Sequence, residues 1–485
     1  MNWLLVYEII YVVVLILVCL RIIHDTRTHT KTLAYLLLVI FLPAIGIFVY
    51  FSFGINYRKR KMYNKKIIED DKLANELYEK LIQYSKFTYD SNHALLESNK
   101  ELAYMLAKSS KSALASNNSV SVLVNGEIKF AEVVKALEKA KHHIHIEYYI
   151  YEDDEIGGII ADILIRKAKE GVDVRFIYDD FGSSSIRKTI AKKLKNAGVG
   201  IFPFSKVILI ALANRLNYRN HRKIIVIDGA VAFVGGINVS DKYINQPGNT
   251  KKLYWRDTHL RIEGPAVHYL QYIFICDWKF CSNEDLPRND SFFPPHSSFN
   301  GTDNKIVQIA ASGPDSDIPD ILFSQLQAIN LATKEILITT PYFIPGESII
   351  DALIVAALGG VAVKLLVPES SDSRFVNAAA RSYYGDLLAA GIEIYLYQKG
   401  FLHAKTLVTD RKLAIVGTAN MDSRSFDLNF EVNALVYDRA IAESLATIFY
   451  EDLKDAEKID LSIWNNRPLY AQLLEKTARL ISPLL

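Results

Sequence analysis

The chain contains little cysteine and carries almost no net charge. Its 485 residues include three cysteines, none of them in a CxxC pair, which excludes a disulfide framework and argues against a cysteine-built metal site. Lysine and arginine (56) nearly balance aspartate and glutamate (54), so the chain lacks the basic excess of a nucleic-acid-binding protein. Half of the residues are hydrophobic, which excludes disorder. We therefore expect a folded protein in a reducing compartment, with no nucleic acid as partner.

Acidic residues are scarce in the first 66 positions. Met1–Lys66 contains nine basic residues against Glu8 and Asp25, a net charge of +7, whereas the remainder has 47 basic and 52 acidic residues, a net charge of −5. Six of the nine basic residues lie between positions 58 and 66. The larger basic cluster beside a membrane segment usually stays in the cytoplasm, so this cluster predicts a cytoplasmic body. It suits two roles equally, as this topology signal or as a binding site for anionic membrane lipids.

Two long apolar runs lie in the same segment. Leu33–Phe53 has no charged residue, and at about 1.5 Å per residue it is long enough to cross a hydrocarbon core of roughly 30 Å. Trp3–Ile23 contains Glu8 and Arg21 near its ends. A signal peptide is the alternative for this first run, but the chain start has neither a basic n-region nor a small-residue cleavage site. We predict a transmembrane hairpin of two helices, with Glu8 and Arg21 reaching opposite interfaces of the cell membrane.

The rest of the chain alternates short apolar strands with amphipathic helical patterns, which is typical of an α/β protein. The alternation occurs twice in the same order, and Ser282–Lys305 between the copies is rich in Pro, Ser, Asn and Asp. An internal duplication into two similar α/β domains explains this pattern. The predicted parts are a membrane hairpin with its basic segment over 1–66, a helical connector over 67–115, a first domain over 116–285, a linker over 286–305 and a second domain over 306–485.

One motif occurs in both copies with its spacing intact. The copies are His221-x-Lys223-x4-Asp228 and His403-x-Lys405-x4-Asp410, and Asn238 and Asn420 follow at the same 182-residue offset. His221 and Lys223 point to one face of a strand, whereas Asp228 lies roughly 23 Å from His221 if the strand is straight, too far to orient that imidazole. The turn signals Asp228-Gly229 and Asp410-Arg411 predict hairpins. Each hairpin returns its asparagine alongside the histidine and lysine.

Two such clusters are suited to binding a phosphodiester and transferring its phosphoryl group. Two lysines and two amides can bind its non-bridging oxygens, and two histidines on opposite sides can act in line, one as nucleophile and one as general acid. This chemistry requires no metal or other cofactor, and a lysine stands where a metal site would need a second ligand. Each imidazole needs an acceptor on its other nitrogen. The candidates are Asp257 and Glu431, which follow the first and the second motif in a strand that we expect to lie beside that motif, unless they are ordinary strand-end carboxylates.

These residues resemble the phospholipase D superfamily, in which paired HxKxxxxD motifs lie on two similar α/β domains with the active site between them. Within it, the sequence is most similar to the bacterial cardiolipin synthases. The similarity extends over nearly the whole chain. It rests on PAIGIFVYFSFG followed by RKRK, on NYRNHRKIIVIDG, WRDTHLRIEGPAV and GTANMDSRSFDLNFEVNA, and on the terminal SPLL.

The resemblance implies a phosphatidyltransferase. One phosphatidylglycerol gives a phosphatidyl-histidine and glycerol, and a second phosphatidylglycerol attacks to yield cardiolipin. The resemblance also implies that His221 is the nucleophile and His403 the acid and base, an assignment that the pseudo-symmetry leaves open. The catalytic set that it implies is His221, Lys223, Asp228, His403, Lys405 and Asp410.

Two alternative functions and two interpretations of one apolar segment remain at this stage. A phospholipase D-type hydrolase would share the fold and the site, whereas a noncatalytic scaffold would be expected to have lost part of a motif, and both motifs are complete. The apolar stretch Val207–Leu216, just before the first motif, is either a lipid-facing approach to the site or a buried helix.

Overall fold

The computed structural model describes residues 3–26, 29–51, 85, 88, 96, 98–204, 218–246, 253–284, 286, 291–295, 299, 303–316 and 318–481. Several features expected from the sequence lie outside the described residues. They are the basic cluster at 58–66, most of the connector over 67–115, part of the linker over 286–305, the apolar stretch Val207–Leu216 and the terminal SPLL.

The N-terminal apolar runs form one long helix and two short ones. Among the described residues, only the first helix is long and apolar enough to cross a membrane. The second run is not the single spanning helix predicted over Leu33–Phe53, because the chain bends at Leu42, before Pro43. A Cβ atom on Gly46 would lie 2.5 Å from the Cα atom of Val39, so only glycine allows the third helix to fold back this closely on the second. The helices are α1 (Trp3–Asp25), α2 (His29–Phe41) and α3 (Pro43–Val49).

The body is an α/β structure, as predicted. Its first half contains strands β1 (Ala115–Val124), β2 (His143–Tyr148), β3 (Asp173–Asp179), β4 (Gly200–Phe204), β5 (Lys223–Ile227), β6 (Val231–Gly235), β7 (Tyr254–Arg256) and β8 (Thr258–Glu263). Its second half contains β9 (Lys305–Ser312), β10 (Glu335–Thr339), β11 (Phe343–Ile344), β12 (Ala362–Pro368), β13 (Glu393–Tyr397), β14 (Gly400–Leu402), β15 (Thr406–Thr409), β16 (Leu413–Gly417), β17 (Met421–Asp422), β18 (Glu431–Tyr437) and β19 (Ala456–Lys458).

Helices cover both faces of the sheet. The first half has α4 (Lys100–Ser109), α5 (Asn125–Glu138), α6 (Glu155–Lys169), α7 (Ile190–Asn196) and α8 (Val267–Ser282). The second half has α9 (Asp320–Leu331), α10 (Glu347–Leu358), α11 (Arg374–Arg381), α12 (Tyr384–Ala389), α13 (Ser423–Asp427), α14 (Arg439–Asp452), α15 (Leu461–Asn465) and α16 (Leu469–Ile481). Short 3₁₀ turns occupy Ser184–Ile186, Asp241–Tyr243 and Leu453–Asp455.

Fifteen of the described strands form one sheet. The first half has the order β4-β3-β2-β5-β6-β8-β1, and the second half has the equivalent order β13-β12-β10-β15-β16-β18-β9, with β19 added at its edge. The halves meet at the antiparallel pair β1 and β9. This repeated order confirms the two similar α/β domains expected from the sequence, and it also joins them into a single sheet.

Alternate residues of β5 explain how the sheet holds two cores. Ile224 and Val226 pack with α8 and α14 on the face where one core continues through both halves. Ile225 and Ile227 point to the opposite face, against α5, α6 and α7. All five residues of β5 are buried, which is typical of a strand covered on both faces.

Both predicted hairpins are present. β5 pairs antiparallel with β6, and β15 pairs antiparallel with β16. Asp228 and Gly229 have φ values of 53° and 64°, and Asp410 and Arg411 both have 51°, which are the left-handed conformations of a type I′ turn. The motif histidines precede β5 and β15, so both lie at the end of the sheet where the parallel strands β2 and β10 have their carboxyl ends.

Candidate active site

Backbone hydrogen bonds bring the two motif histidines to one site between the halves. The amide of His221 donates to the carbonyl of Phe430 at 3.0 Å, and the amide of His403 donates to the carbonyl of Arg256 at 2.7 Å. The short parallel pair of β7 and β14 adds a second connection across the halves. Each histidine is therefore held by the residue that immediately precedes a candidate carboxylate of the opposite half.

Each imidazole is paired with a carboxylate of the other half. Nδ1 of His221 lies 2.9 Å from the carboxylate of Glu431, and Nδ1 of His403 lies 2.7 Å from that of Asp257. The expectation that each carboxylate lies beside its own motif is therefore wrong. β6 separates β5 from β8, and β16 separates β15 from β18, so the carboxylate at the start of the outer strand reaches the opposite histidine instead. With Nδ1 bound to an acceptor, Nε2 is the nitrogen left for substrate.

The two carboxylates differ in their surroundings. Glu431 also accepts hydrogen bonds from the Thr418 hydroxyl at 2.5 Å and the Asn429 amide at 3.2 Å. Burial acts to raise the pKa of Glu431, but its pairing with His221, the charge of Lys223 and the hydrogen bond from Thr418 outweigh it and hold this pKa below its usual value. Burial raises the pKa of Asp257 to about 6, against the opposing charge of Lys405. Glu431 is therefore the more firmly ionised of the two.

The motif lysines lie beneath the histidines. Nζ of Lys223 donates to the carbonyl of His221 at 2.7 Å, and Nζ of Lys405 donates to the carbonyl of His403 at 2.5 Å. Burial lowers the pKa of Lys223 to about 7 and that of Lys405 to about 8. An anion bound between them would favour both ammonium forms and return these pKa values toward their usual range.

Both imidazoles are neutral in the free site at pH 7. Burial lowers the pKa of His221 to about 4, in spite of the nearby Glu431. Burial also places the pKa of His403 well below its usual value, and the neighbouring Lys405 lowers it further. The nucleophile therefore needs no deprotonation, whereas the general acid must take up a proton when the negatively charged substrate binds.

The asparagines of the repeat line the same cavity. The side-chain amide of Asn238 donates to the Tyr243 hydroxyl at 2.7 Å. The side-chain amide of Asn420 donates to Asp422 at 3.2 Å. Each amide is thus held by a neighbour, and rotation of either side chain or sharing of its second N–H would be needed to reach a phosphate oxygen.

Asp228 and Asp410 lie at the opposite ends of their hairpins. Each accepts three backbone N–H bonds from the segment that precedes a parallel strand, with N···O distances of 2.7 to 2.9 Å. The structure therefore corrects the catalytic position that the resemblance implies for them, because their carboxylates are used to anchor the turns. The donors are Lys141, His142 and His143 for the first, and Thr333, Lys334 and Glu335 for the second.

The histidines open into a cavity of about 380 Å³ whose walls come from both halves. The Tyr149 ring lies 4.9 Å from the His221 ring, and the Trp255 ring lies 5.6 Å from the His403 ring. Sequence reasoning missed these aromatic neighbours because no motif spacing marks them. Apolar side chains from β11, α11 and β14 complete the wall, namely Ile344, Phe375, Val376 and Phe401.

Three further cations line the cavity and were also missed. They are Arg219, Lys242 and Arg424. Lys242 and Arg424 have the same 182-residue offset as the two asparagines, and this offset could have identified them. Lys242 lies close enough to His403 for its charge to add to the effect of burial, which lowers the pKa of that imidazole. Burial raises the pKa of Tyr149, and the charges of Arg424 and Arg219 oppose this rise. The same lining includes the carboxylates of Asp372 and Asp422, so these three cations exceed the acidic groups of the cavity wall by one charge.

Comparison with known proteins agrees with this geometry. A family model described as "Cardiolipin synthase, PLD-like domain" matches residues 133–252 and 325–453, and one described as "Phospholipase_D-nuclease N-terminal" matches residues 9–54. The cardiolipin synthase of Alkalihalophilus pseudofirmus is 41% identical over 99% of this chain and 93% of its own length. The major cardiolipin synthase of Bacillus subtilis is 41% identical over 99% of this chain and 98% of its own length.

A solved structure has the same fold. The phosphatidylserine synthase of Haemophilus influenzae aligns with a TM-score of 0.60 at 14% identity, over 80% of this chain and 99% of that protein. The two repeats, the paired motifs and the full-length similarity point to one family. The chain belongs to the bacterial cardiolipin synthases, phosphatidyltransferases of the phospholipase D superfamily.

Proposed function

We propose that this protein makes cardiolipin by transferring a phosphatidyl group from one phosphatidylglycerol to a second, with release of glycerol. The observation that carries the proposal is that His221 and His403 face one cavity, each bound through Nδ1 to a carboxylate of the opposite half. Two imidazoles, one from each half, whose Nε2 atoms are not used by the carboxylates suit an in-line displacement at phosphorus.

In the first step, Nε2 of His221 attacks the phosphorus of phosphatidylglycerol. A P–N bond forms while the P–O bond to the head-group glycerol breaks, and protonated His403 gives its proton to the leaving oxygen. His221 becomes cationic, and we assign it as the nucleophile because its partner Glu431 is the more firmly ionised carboxylate. Lys223 and Lys405 stabilise the charge on the non-bridging oxygens.

In the second step, neutral His403 takes the proton from a glycerol hydroxyl of the second phosphatidylglycerol. That oxygen attacks phosphorus, the P–N bond breaks, and His221 returns to its neutral form with cardiolipin as product. Asn238 and Asn420 can supply further hydrogen bonds to the phosphate oxygens after their side chains rotate. Asp228 and Asp410 keep the hairpins in place and act as positioning residues.

Hydrolysis, as in a phospholipase D, is the competing outcome because water could replace the second lipid. The additional cations Arg219, Lys242 and Arg424 favour transfer. The second phosphatidylglycerol carries its own phosphate, for which a water molecule has no equivalent, so cations beyond the reacting phosphate select the lipid. The aromatic and apolar walls of the cavity also restrict water.

The activity is tested with purified protein and phosphatidylglycerol alone in detergent micelles. We expect cardiolipin and glycerol in equal amounts. Phosphatidic acid without cardiolipin would overturn the proposal in favour of a hydrolase. The His403→Ala variant is the matched control, because it keeps the cavity and should form neither product.

We further infer that the protein is anchored in the cell membrane with its catalytic body in the cytoplasm. α1 is nearly all exposed in the structure, and basic residues between positions 58 and 66 follow the second apolar run. The two-pass arrangement requires α3 to open away from α2, so that the second apolar run spans the bilayer. A tag on the N-terminus distinguishes the cases: it should be cytoplasmic with two passes and external with one.

A further inference from the structure

Helix α16 has its apolar side chains on the outside. The side facing the body contains Ala471, Glu475 and Ala478, of which Glu475 and Ala478 are buried. At about 100° per residue, the apolar side chains cover an arc of roughly 140° on the opposite side. This apolar arc consists of Leu469, Tyr470, Leu473, Leu474 and Leu480, which are 64% to 80% exposed.

Ionic contacts hold α16 against the body. Glu475 accepts hydrogen bonds from Arg381 at 3.1 Å and from Arg467 at 2.8 and 3.0 Å. The guanidinium of Arg479 lies 4.3 Å from the centre of the Tyr383 ring. A surface helix of a water-soluble domain normally packs its apolar face inward. Here the inward face is made of alanine and ion pairs, so the apolar arc must serve a different purpose.

The apolar arc is directly connected to the active-site wall. α16 packs against α11, and α11 contributes Phe375 and Val376 to the cavity that contains both histidines. On the first half, the phenol of Tyr35 in α2 is close enough to Tyr218 to influence its ionisation, which brings the apolar N-terminal segment near the first motif. Membrane-directed elements therefore approach the cavity from both halves.

We propose that the apolar arc of α16 inserts into the interface of the lipid bilayer and holds the cavity at the membrane surface, where phosphatidylglycerol can enter. Lys476, exposed beside the arc, meets the anionic head groups. A second copy of the chain is a poorer occupant, because one strip of a 13-residue helix is small beside the roughly 800 Å² per partner of a stable interface. The inference rests on the proposed lipid substrate.

The position of the apolar arc is tested on full-length protein in vesicles of phosphatidylglycerol and phosphatidylcholine. Cys19 and Cys281 are replaced by serine, the buried Cys276 is kept, and a polarity-sensitive fluorophore is attached to Leu473→Cys or to the control Lys412→Cys, which is exposed on the second hairpin turn. The label at 473 should shift to the blue and be quenched by lipid-borne quenchers, whereas the control should not. A fluorophore at position 473 whose emission shows a water-exposed environment would overturn the proposal. Shielding that appears only as the protein concentration rises would also overturn it, because it would indicate contact with a second copy of the chain.

A kinetic test separates this inference from the proposed activity. The triple variant Leu469→Gln, Leu473→Gln, Leu480→Gln should lose several-fold in rate on vesicular phosphatidylglycerol and keep the wild-type rate on a short-chain, monomeric phosphatidylglycerol. The control Ile128→Gln, Ile159→Gln changes exposed apolar residues of the first half and should behave as wild type. Equal rates on vesicles, or an equal loss on both substrates, would overturn the inference. Failure of the wild type to make cardiolipin would instead overturn the proposed function and leave the labelling result intact.

Discussion

His221 and Glu431 are 210 positions apart in the chain, yet Nδ1 of the imidazole lies 2.9 Å from the carboxylate. The symmetry-related pair of His403 and Asp257 crosses between the halves in the opposite direction. Each half therefore contains a histidine whose tautomer is set by the other half. Neither half alone has a complete acid or nucleophile, which gives a physical reason for the two repeats to share one sheet.

Glu431→Gln should reduce turnover on the order of 10²- to 10⁴-fold, the usual contribution of a positioned acid or base. The amide can present its N–H group to Nδ1 and favour the wrong tautomer, and it cannot stabilise a cationic His221. Single-turnover kinetics should place the loss in formation of the phosphatidyl-enzyme. The companion variant Asp257→Asn should slow proton transfer at His403 instead, and identical defects in both variants would contradict separate roles.

The phosphatidyl-enzyme should be found on His221. Phosphatidylglycerol labelled at phosphorus, quenched during turnover under alkaline conditions that preserve phosphohistidine, is expected to label the peptide that contains this residue. His221→Ala should abolish the label, because no other neutral imidazole faces Glu431 among the described residues. Label on the peptide with His403 would reverse the assignment of nucleophile and acid.

The motif lysines should steepen the alkaline limb of the pH profile, to which His403 already contributes because its pKa lies well below its usual value and it must take up a proton when substrate binds. Burial lowers the pKa of Lys223 to about 7 and of Lys405 to about 8, so both lose their charge in the free enzyme as the pH rises through this range. A phosphodiester binds the ammonium forms, and kcat/KM should therefore fall above about pH 7. His221 stays neutral throughout, because burial lowers its pKa to about 4. In the enzyme–substrate complex the bound phosphate favours the charged lysines, so kcat should begin to fall at a higher pH than kcat/KM. A fall of both quantities at the same pH would contradict this account.

Asp228→Ala and Asp410→Ala should weaken folding rather than chemistry. Each substitution leaves three backbone N–H groups without their charged acceptor, which we expect to lower the free energy of unfolding by about 2–3 kcal/mol. Chemical denaturation measures this loss, and the rate per folded molecule should stay near that of the wild type. Lys412→Ala, in the same turn as Asp410, is the control and should change stability by less than about 0.5 kcal/mol. Unchanged stability with lost activity would return both aspartates to the catalytic set.

Local spacing predicted much of the fold and the site. The hairpins at Asp228 and Asp410 and the histidine–lysine pairs depend on a few adjacent residues, so strand periodicity and turn chemistry were enough to identify them. The exchange of Glu431 and Asp257 between halves depends on how β1 meets β9, and no local pattern contains that information.

Two helical features could not be predicted from the sequence for a different reason, since they depend on how the helices pack. Pro43 and Gly46 lie in the second apolar run, but both residue types are tolerated in membrane helices, so their presence in the sequence does not establish a bend. The leucines of α16 have ordinary amphipathic spacing, and this spacing alone predicts an inward apolar face. Their outward direction depends on the ion pairs of Glu475 with Arg381 and Arg467.

Arg424→Gln should change what the enzyme makes more than how fast it reacts. If Arg424 binds the phosphate of the second phosphatidylglycerol, its loss removes a charge-assisted hydrogen bond worth about 1.5–3 kcal/mol, equivalent to a tenfold or greater rise in the acceptor concentration required. Formation of the phosphatidyl-histidine uses the motif residues and should continue, so water intercepts more of the intermediate. The ratio of cardiolipin to phosphatidic acid, measured with phosphatidylglycerol labelled at phosphorus, should fall. Arg166→Gln, which removes an exposed partner of Glu138, should leave the ratio unchanged. An unchanged ratio in Arg424→Gln would mean that acceptor choice is set by exclusion of water and not by recognition of a second phosphate.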